Sequence, residues 1–275
     1  MYIRPIAFCI AYLLPCLLLS PFAVAISLDQ QFQSDIKRVA NADEFDVILA
    51  GEREFIVLKH MADTPITKGV AILVNDIQHS PASGLNRLSQ YLNESGWITL
   101  SLAAPELVSG DNPQAATSLN ASSAEPSIAF TSFEQQQTQI QQQMLSAIEQ
   151  SRQYPGFLLI IAQGTSAAWL SKLFAEEALD RPDGLVAIGA FWPQQDLNKQ
   201  IPQFLAKSGT PVLDVYSYWD NQWVKTTTKK RKIAAAQAFN VHYRQRQLIS
   251  PAFKNSDNYA YLSREIIGWV THMGW

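Results

Sequence analysis

The chain has 275 residues, of which 47% are hydrophobic and 16% charged, with a formal net charge of −3. That length supports one large domain with a buried core. The small negative charge excludes a bulk electrostatic attraction to nucleic acid or to an anionic membrane surface.

Residues 1–25, "MYIRPIAFCIAYLLPCLLLSPFAVA", combine Arg4, a long apolar run and the ending Ala23-Val24-Ala25. This is the pattern of a secretory signal peptide. An uncleaved anchor is the competing reading, because the apolar run approaches spanning length; Pro5, Pro15, Pro21 and the A-x-A ending favour cleavage. Pro15 directly before Cys16 fits lipoprotein processing poorly. The expectation is a periplasmic protein of Gram-negative type, residues 26–275, with no stable membrane span after cleavage. Cys9 and Cys16 both lie in the removable segment. The mature chain then has no disulfide, no catalytic thiol and no cysteine-ligated metal.

The predicted elements alternate. "EFDVILAGEREFIVLKH" reads as two strands about a turn at Ala50-Gly51, and "GVAILVND" as a strand buried on both faces. In "SPASGLNRLSQYLNESGW", Leu85, Leu88 and Leu92 share a helical face and Gly96 ends the helix. The strand "WITLSLAAP" follows, then a long flexible loop at 109–131 of turn-forming composition. A glutamine-rich segment carries Phe133, Ile140, Met144 and Ile148 at helical spacing, predicting a helix with a polar outer face. The strand "FLLIIAQ" with a helix over 166–179, the strand "GLVAIGAF", and the strand "PVLDVYSY" with a helix through "KIAAAQAF" come next. The strand "VHYRQRQLI" and a terminal helix close the chain. Repeated strand–helix–strand units predict a single α/β domain, a mostly parallel twisted sheet with helices on both faces.

"AQGTSAA" lies at the carboxyl end of an apolar strand, the edge where ligands bind in such sheets. The pattern Gly164-x-Ser166-x-Ala168 matches a nucleophile elbow with alanine in place of the last glycine. On that reading Ser166 is the candidate nucleophile. Gly164 and Ala168 are the small residues the bend requires, and the Ala167 N–H faces an oxyanion at a helix N-terminus. A glycine-bearing corner without chemistry fits the same residues.

"GVAILVND", "GWITLSLAAP", "AQGTSAA" and the terminal "REIIGW" resemble a family of exported bacterial proteins of unknown function related to the α/β-hydrolase fold. The likeness spans roughly residues 40 to 270 and implies a fold and an elbow serine, but no substrate. The triad order of that fold is serine, acid, histidine. Asp220, in "SYWDNQW", stands where the acid follows its strand; Asp196 is the second choice, and either also fits a helix-capping aspartate. Asn75-Asp76 occupies the place of the fold's usual His-Gly, with Asp76 as the candidate second oxyanion donor. The loop "SPAFKNSDN" after the last strand contains no histidine. His242 and His272 each fall ~20 Å from the carboxyl edge by strand and helix rise, and His60 ends an antiparallel strand. His79, in "VNDIQHSPAS", remains as an out-of-order base or substrate contact, or as a plain loop histidine.

"KTTTKKRK" at 225–232 reads as a solvated helix start, and Tyr216, Tyr218, Trp219 and Trp223 as core and rim packing or a pocket lining. No metal site, dinucleotide fingerprint or phosphate loop is legible, so no cofactor is expected. Two functions stand. One is a periplasmic serine hydrolase of ester or acyl substrates lacking the usual histidine. The other is a non-catalytic binding or envelope-assembly protein with a degenerate triad. Its partner would be an unidentified small-molecule or envelope ligand, not nucleic acid.

Overall fold

The computed structural model describes residues 34, 36–38, 41, 43–76, 84–103, 130–250 and 256–275. Strands β1 (Phe45–Ala50) and β2 (Arg53–His60) form a hairpin. β3 (Gly69–Val74) precedes a 3-10 turn (Gly84–Leu88) and α1 (Ser89–Glu94), followed by β4 (Trp97–Leu102) and α2 (Phe130–Ser151). Then come β5 (Phe157–Gln163), α3 (Gly164–Ala175), β6 (Gly184–Ile188), α4 (Gln195–Asn198) and α5 (Ile201–Lys207). The chain closes with β7 (Val212–Ser217), α6 (Gln222–Gln237), β8 (Tyr243–Leu248) and α7 (Ser256–His272).

These eight strands form one sheet in the order β1-β2-β4-β3-β5-β6-β7-β8. β2 runs antiparallel to β1 and β4, and all pairs from β4 to β8 are parallel. β3 and β6 carry no polar side chain, and β5 none before Gln163, because both faces of the sheet are covered. One face sets Val70, Ile72, Ile160, Ala162 and Leu185 against α2, α3 and α5 through Met144, Trp169, Leu173 and Leu205. The other sets Ala71, Leu73, Leu159, Ile161 and Val186 against Leu88, Leu92, Leu262, Ile266 and Trp269. The alternation is the period-2 geometry of a strand buried twice over.

Several boundaries differ from expectation. The segment after Gly84 opens as a 3-10 turn before α1, although Leu85, Leu88 and Leu92 are buried as anticipated. Two helices, α4 and α5, stand between β6 and β7 where none was predicted, since four and seven residues are too few to show a period. Most consequentially, α3 begins at Gly164, two residues before the expected start. His79 and most of the loop at 109–131 lie outside the described residues.

The basic run on α6 is solvated at Lys225, Lys229, Lys230 and Lys232, but Arg231 is fully buried. Its guanidinium bonds the Asp214 carboxylate on β7 at 2.9 Å and also donates to Thr227 Oγ1 and the Ala190 carbonyl. The other Asp214 oxygen accepts from Tyr243 at 2.6 Å and Gln245 at 2.9 Å. Burial, and then the Asp214 charge, push the Tyr243 hydroxyl far up from its ordinary value, so it stays a donor. This buried, multiply hydrogen-bonded pair ties α6 and β8 to β7. Removing one partner strands the other charge.

Arg231→Met is expected to lower unfolding stability by about 3–5 kcal/mol in urea titrations. Asp214→Leu combined with Arg231→Met should lose less than Arg231→Met alone. A loss no larger than that of the surface change Lys230→Met would contradict this role.

Candidate functional site

The registers gather one edge. Val74 pairs with Ala162, Gln163 with Ile188, and Ile188 with Val215. Residues just past these positions therefore meet: Asn75 and Asp76 after β3, Gly164 after β5, Gly189 after β6, and the Ser217–Asp220 turn after β7. The amide of Phe191 donates to the Gly164 carbonyl, and that of Gly189 to Val215.

The strand-to-helix turn falls on Gly164, which has φ +59°. Among the described residues, left-handed backbone outside glycine occurs only at Glu177 and Phe239, so Ser166 is an ordinary helical residue. A Cβ on Gly164 would come within 2.3 Å of Asp76 Oδ2. The Asp76 carboxyl thus fills the space that a side chain at the turn would need. Its Oδ1 accepts from Thr165 Oγ1 at 2.6 Å and from the Thr165 N–H at 3.3 Å. The small residues flanking the turn are Ala162 and Ser166, two before and two after.

Ser166 therefore sits differently from expectation. It is the third residue of α3, 1% exposed, and its hydroxyl donates to the Asn75 carbonyl at 2.8 Å. The oxygen is covered, not raised over the sheet, because the bend precedes it by two residues. Ala167 and Ala168 continue the helix with fully buried side chains. Asn75 is a node: its amide donates to Ser101 and Leu102 while its Oδ1 accepts the Leu85 N–H, fixing β3, β4 and the 3-10 turn together.

Asp220 is half-buried at the end of β7, where Oδ2 accepts the Ser217 N–H at 2.7 Å. Desolvation raises its pKa above 3.8, opposed by the Ser217 hydrogen bond and by Arg231 and Lys225. A Cβ on Gly189 would lie 3.5 Å from the same Oδ2, so Asp220 shares the edge with Gly164. Asp196 is exposed in the first turn of α4 and paired with Lys199. The three described histidines stay at the far edge. His60 ends the antiparallel β2, His242 precedes β8, and His272 ends α7, whose following Trp275 packs on Gly184 at the start of β6.

Residues 23–272 match the family model described as "Protein of unknown function (DUF3530)". The chain belongs to the DUF3530 family. No curated protein matches the sequence. The fold of this DUF3530 protein is similar to that of an esterase domain from a Rhodothermus marinus protein (TM-score 0.54, 14% identity, 82% of this chain and 96% of that one). A dienelactone hydrolase from Anabaena variabilis is comparable (TM-score 0.55, 13% identity, 83% and 96%). So is the Pyrococcus horikoshii acylaminoacyl peptidase (TM-score 0.58, 11% identity), of which the match covers 40% and 82% of this chain. The fold is that of the α/β-hydrolases, in which a nucleophile stands on the strained turn itself and the next N–H serves the oxyanion hole. In this DUF3530 chain those places hold Gly164 and Thr165.

Sequence reading missed Thr165 and the role of the Asp76 side chain. The signal was available: the apolar run ends at Gln163, so the first residue past the strand is Gly164, and Ala162-x-Gly164-x-Ser166 is itself flanked by small residues. Tyr218 and Trp219 are exposed at the same edge rather than packed, edge-to-face at 5.9 Å, with Lys225 5.3 Å from the Tyr218 ring. Tyr216 and Trp223 are half-buried.

Left-handed backbone costs a residue with a Cβ about 1–2 kcal/mol, and Gly164→Ala adds the clash with Asp76. Gly164→Ala is expected to destabilise wild type more than it destabilises Asp76→Ala, by at least about 1 kcal/mol in a double-mutant cycle read by urea unfolding. Additive changes would contradict the contact. The folded state binds its proton at Asp220 more tightly than the unfolded chain does. Asp220 therefore weakens stability as pH rises from 3.8 through its raised value. Asp220→Asn keeps an acceptor for Ser217, so its stability relative to wild type should grow on passing from acid to neutral pH. A pH-independent difference would contradict the burial effect.

Proposed function

We propose that this DUF3530 protein is exported to the periplasm and works there as a non-hydrolytic binding or envelope-assembly protein that uses the α/β-hydrolase fold as a scaffold. The observation that carries the reading is the Asp76 carboxyl packed on Gly164. The turn offers no side-chain nucleophile, and the Thr165 N–H that would meet an oxyanion already donates to an internal carboxylate. A catalytic oxyanion hole needs donors aimed at charge that develops only in the transition state. Here an oxygen of the Asp76 side chain already holds one of them, and the same side chain fills the space beside the turn.

Ser166 adds little to catalysis on this view. A serine hydroxyl is a weak nucleophile without an adjacent base, and this one donates to a backbone carbonyl. The second reading, a serine hydrolase of ester or acyl substrates with Ser166 attacking and His79 as base, keeps one observation in its favour. Asp220 stands after β7 at the ligand-binding edge, where the acid belongs.

A fluorophosphonate probe separates the two. The mature protein is expected to remain unlabelled, as is Ser166→Ala. Labelling of wild type that disappears in Ser166→Ala would restore the hydrolase reading. For export, intact mass of protein released from the periplasm should correspond to a chain beginning at Ile26; full-length protein held in the membrane fraction would overturn it.

A further inference from the structure

A cleft of about 390 Å³ opens on the sheet face opposite α3, between the 3-10 turn, α1, the start of α7 and the end of β2. That volume lies within the ~300–1,000 Å³ range of small-molecule sites. Its walls include His60, Asn86, Arg87, Gln90, Tyr91 and Tyr259, and among the described residues no aspartate or glutamate lines it. Most of its polar side chains are satisfied. Ser89 donates to Asn86, Gln90 to Glu94 at 3.3 Å, and Asn93 to Trp97, His60 and Thr99.

Arg87 is different. Its guanidinium stands 5.8 Å from the Tyr259 ring centre, and among the described residues it has neither a carboxylate nor a hydrogen-bond acceptor. The contact with the ring is of cation–π type, and Arg87 is itself part of the cleft wall; a guanidinium offers the donor fork that takes an oxyanion in bidentate fashion. The His60 side chain also lines the cleft. Arg87 is exposed, so a ligand can reach it without deep desolvation.

We infer that this cleft binds a small polar anion, a carboxylate or phosphate carried on a hydroxyl-bearing body, with Arg87 gripping the oxyanion. The amides of Asn86 and Gln90 and the Tyr91 ring flank the rest of the ligand. This site is separate from the Gly164 turn and stands whether or not that turn is catalytic.

The test is a titration of the isotope-labelled mature protein with glucuronate, glucose 6-phosphate and glucose, followed by amide NMR. Saturable shifts at Arg87–Gln90 and Tyr259 are expected with at least one of the two anions and not with glucose; which anion binds distinguishes a carboxylate from a phosphate ligand. Arg87→Gln, checked for an unchanged fold by circular dichroism, should weaken that binding at least about fivefold. The inference fails if neither anion saturates the cleft by about 10 mM, if glucose binds as well as the anions, or if Arg87→Gln binds within fivefold of wild type.

Discussion

The contact between the Asp76 carboxyl and the bare backbone of Gly164 governs how the ligand-binding edge of this protein is built. A strand ending at Gln163 and a helix starting at Gly164 leave no residues for a loop, so the chain must reverse on one left-handed residue. Glycine takes that backbone without strain and leaves a vacant volume above the turn. Asp76 enters it from the neighbouring strand and caps the first turn of α3 through Thr165. The same contact uses the donor and the space that catalysis in this fold would require.

Everything near that contact follows from the sheet. The parallel registers of β3, β5, β6 and β7 end their strands side by side, so Asp76, Gly164, Gly189 and Asp220 converge although the chain separates them widely. Asn75 locks the β3 end to β4 and the 3-10 turn, and Ser166 locks α3 back onto Asn75. Ser166 is thus a strut between two elements. Farther along, the Asp214–Arg231 pair fixes α6 and β8, the elements that frame the Tyr218–Asp220 turn from the other side.

The fold was legible because its central strands are largely apolar runs, and their alternation with helices implies a mostly parallel sheet covered on both faces. The site was legible only to within two residues. Period-based reading puts a helix start wherever the amphipathic pattern first shows, and the small residues 164–168 carry no such pattern, so Gly164 and Ser166 were interchangeable from sequence. Their difference lies in one backbone angle. From sequence Asp76 is a candidate backbone oxyanion donor; that its side chain enters the turn depends on the register of β3 against β5, which single-strand patterns do not encode. Arg231 was hidden in a basic run. The clue was Asp214, a charge in the middle of an otherwise apolar strand, which demands a buried partner.

The central claim is that an internal carboxylate occupies the oxyanion position beside Gly164. The most direct measurement is the NMR signal of the Thr165 backbone amide in wild type and in Asp76→Ala. Loss of the carboxylate should move that amide proton upfield and speed its exchange with solvent, while amides at the far edge of the sheet stay fixed. A Thr165 amide that is indifferent to Asp76→Ala would mean that the donor was never occupied, and the case against catalysis at this turn would lose its foundation.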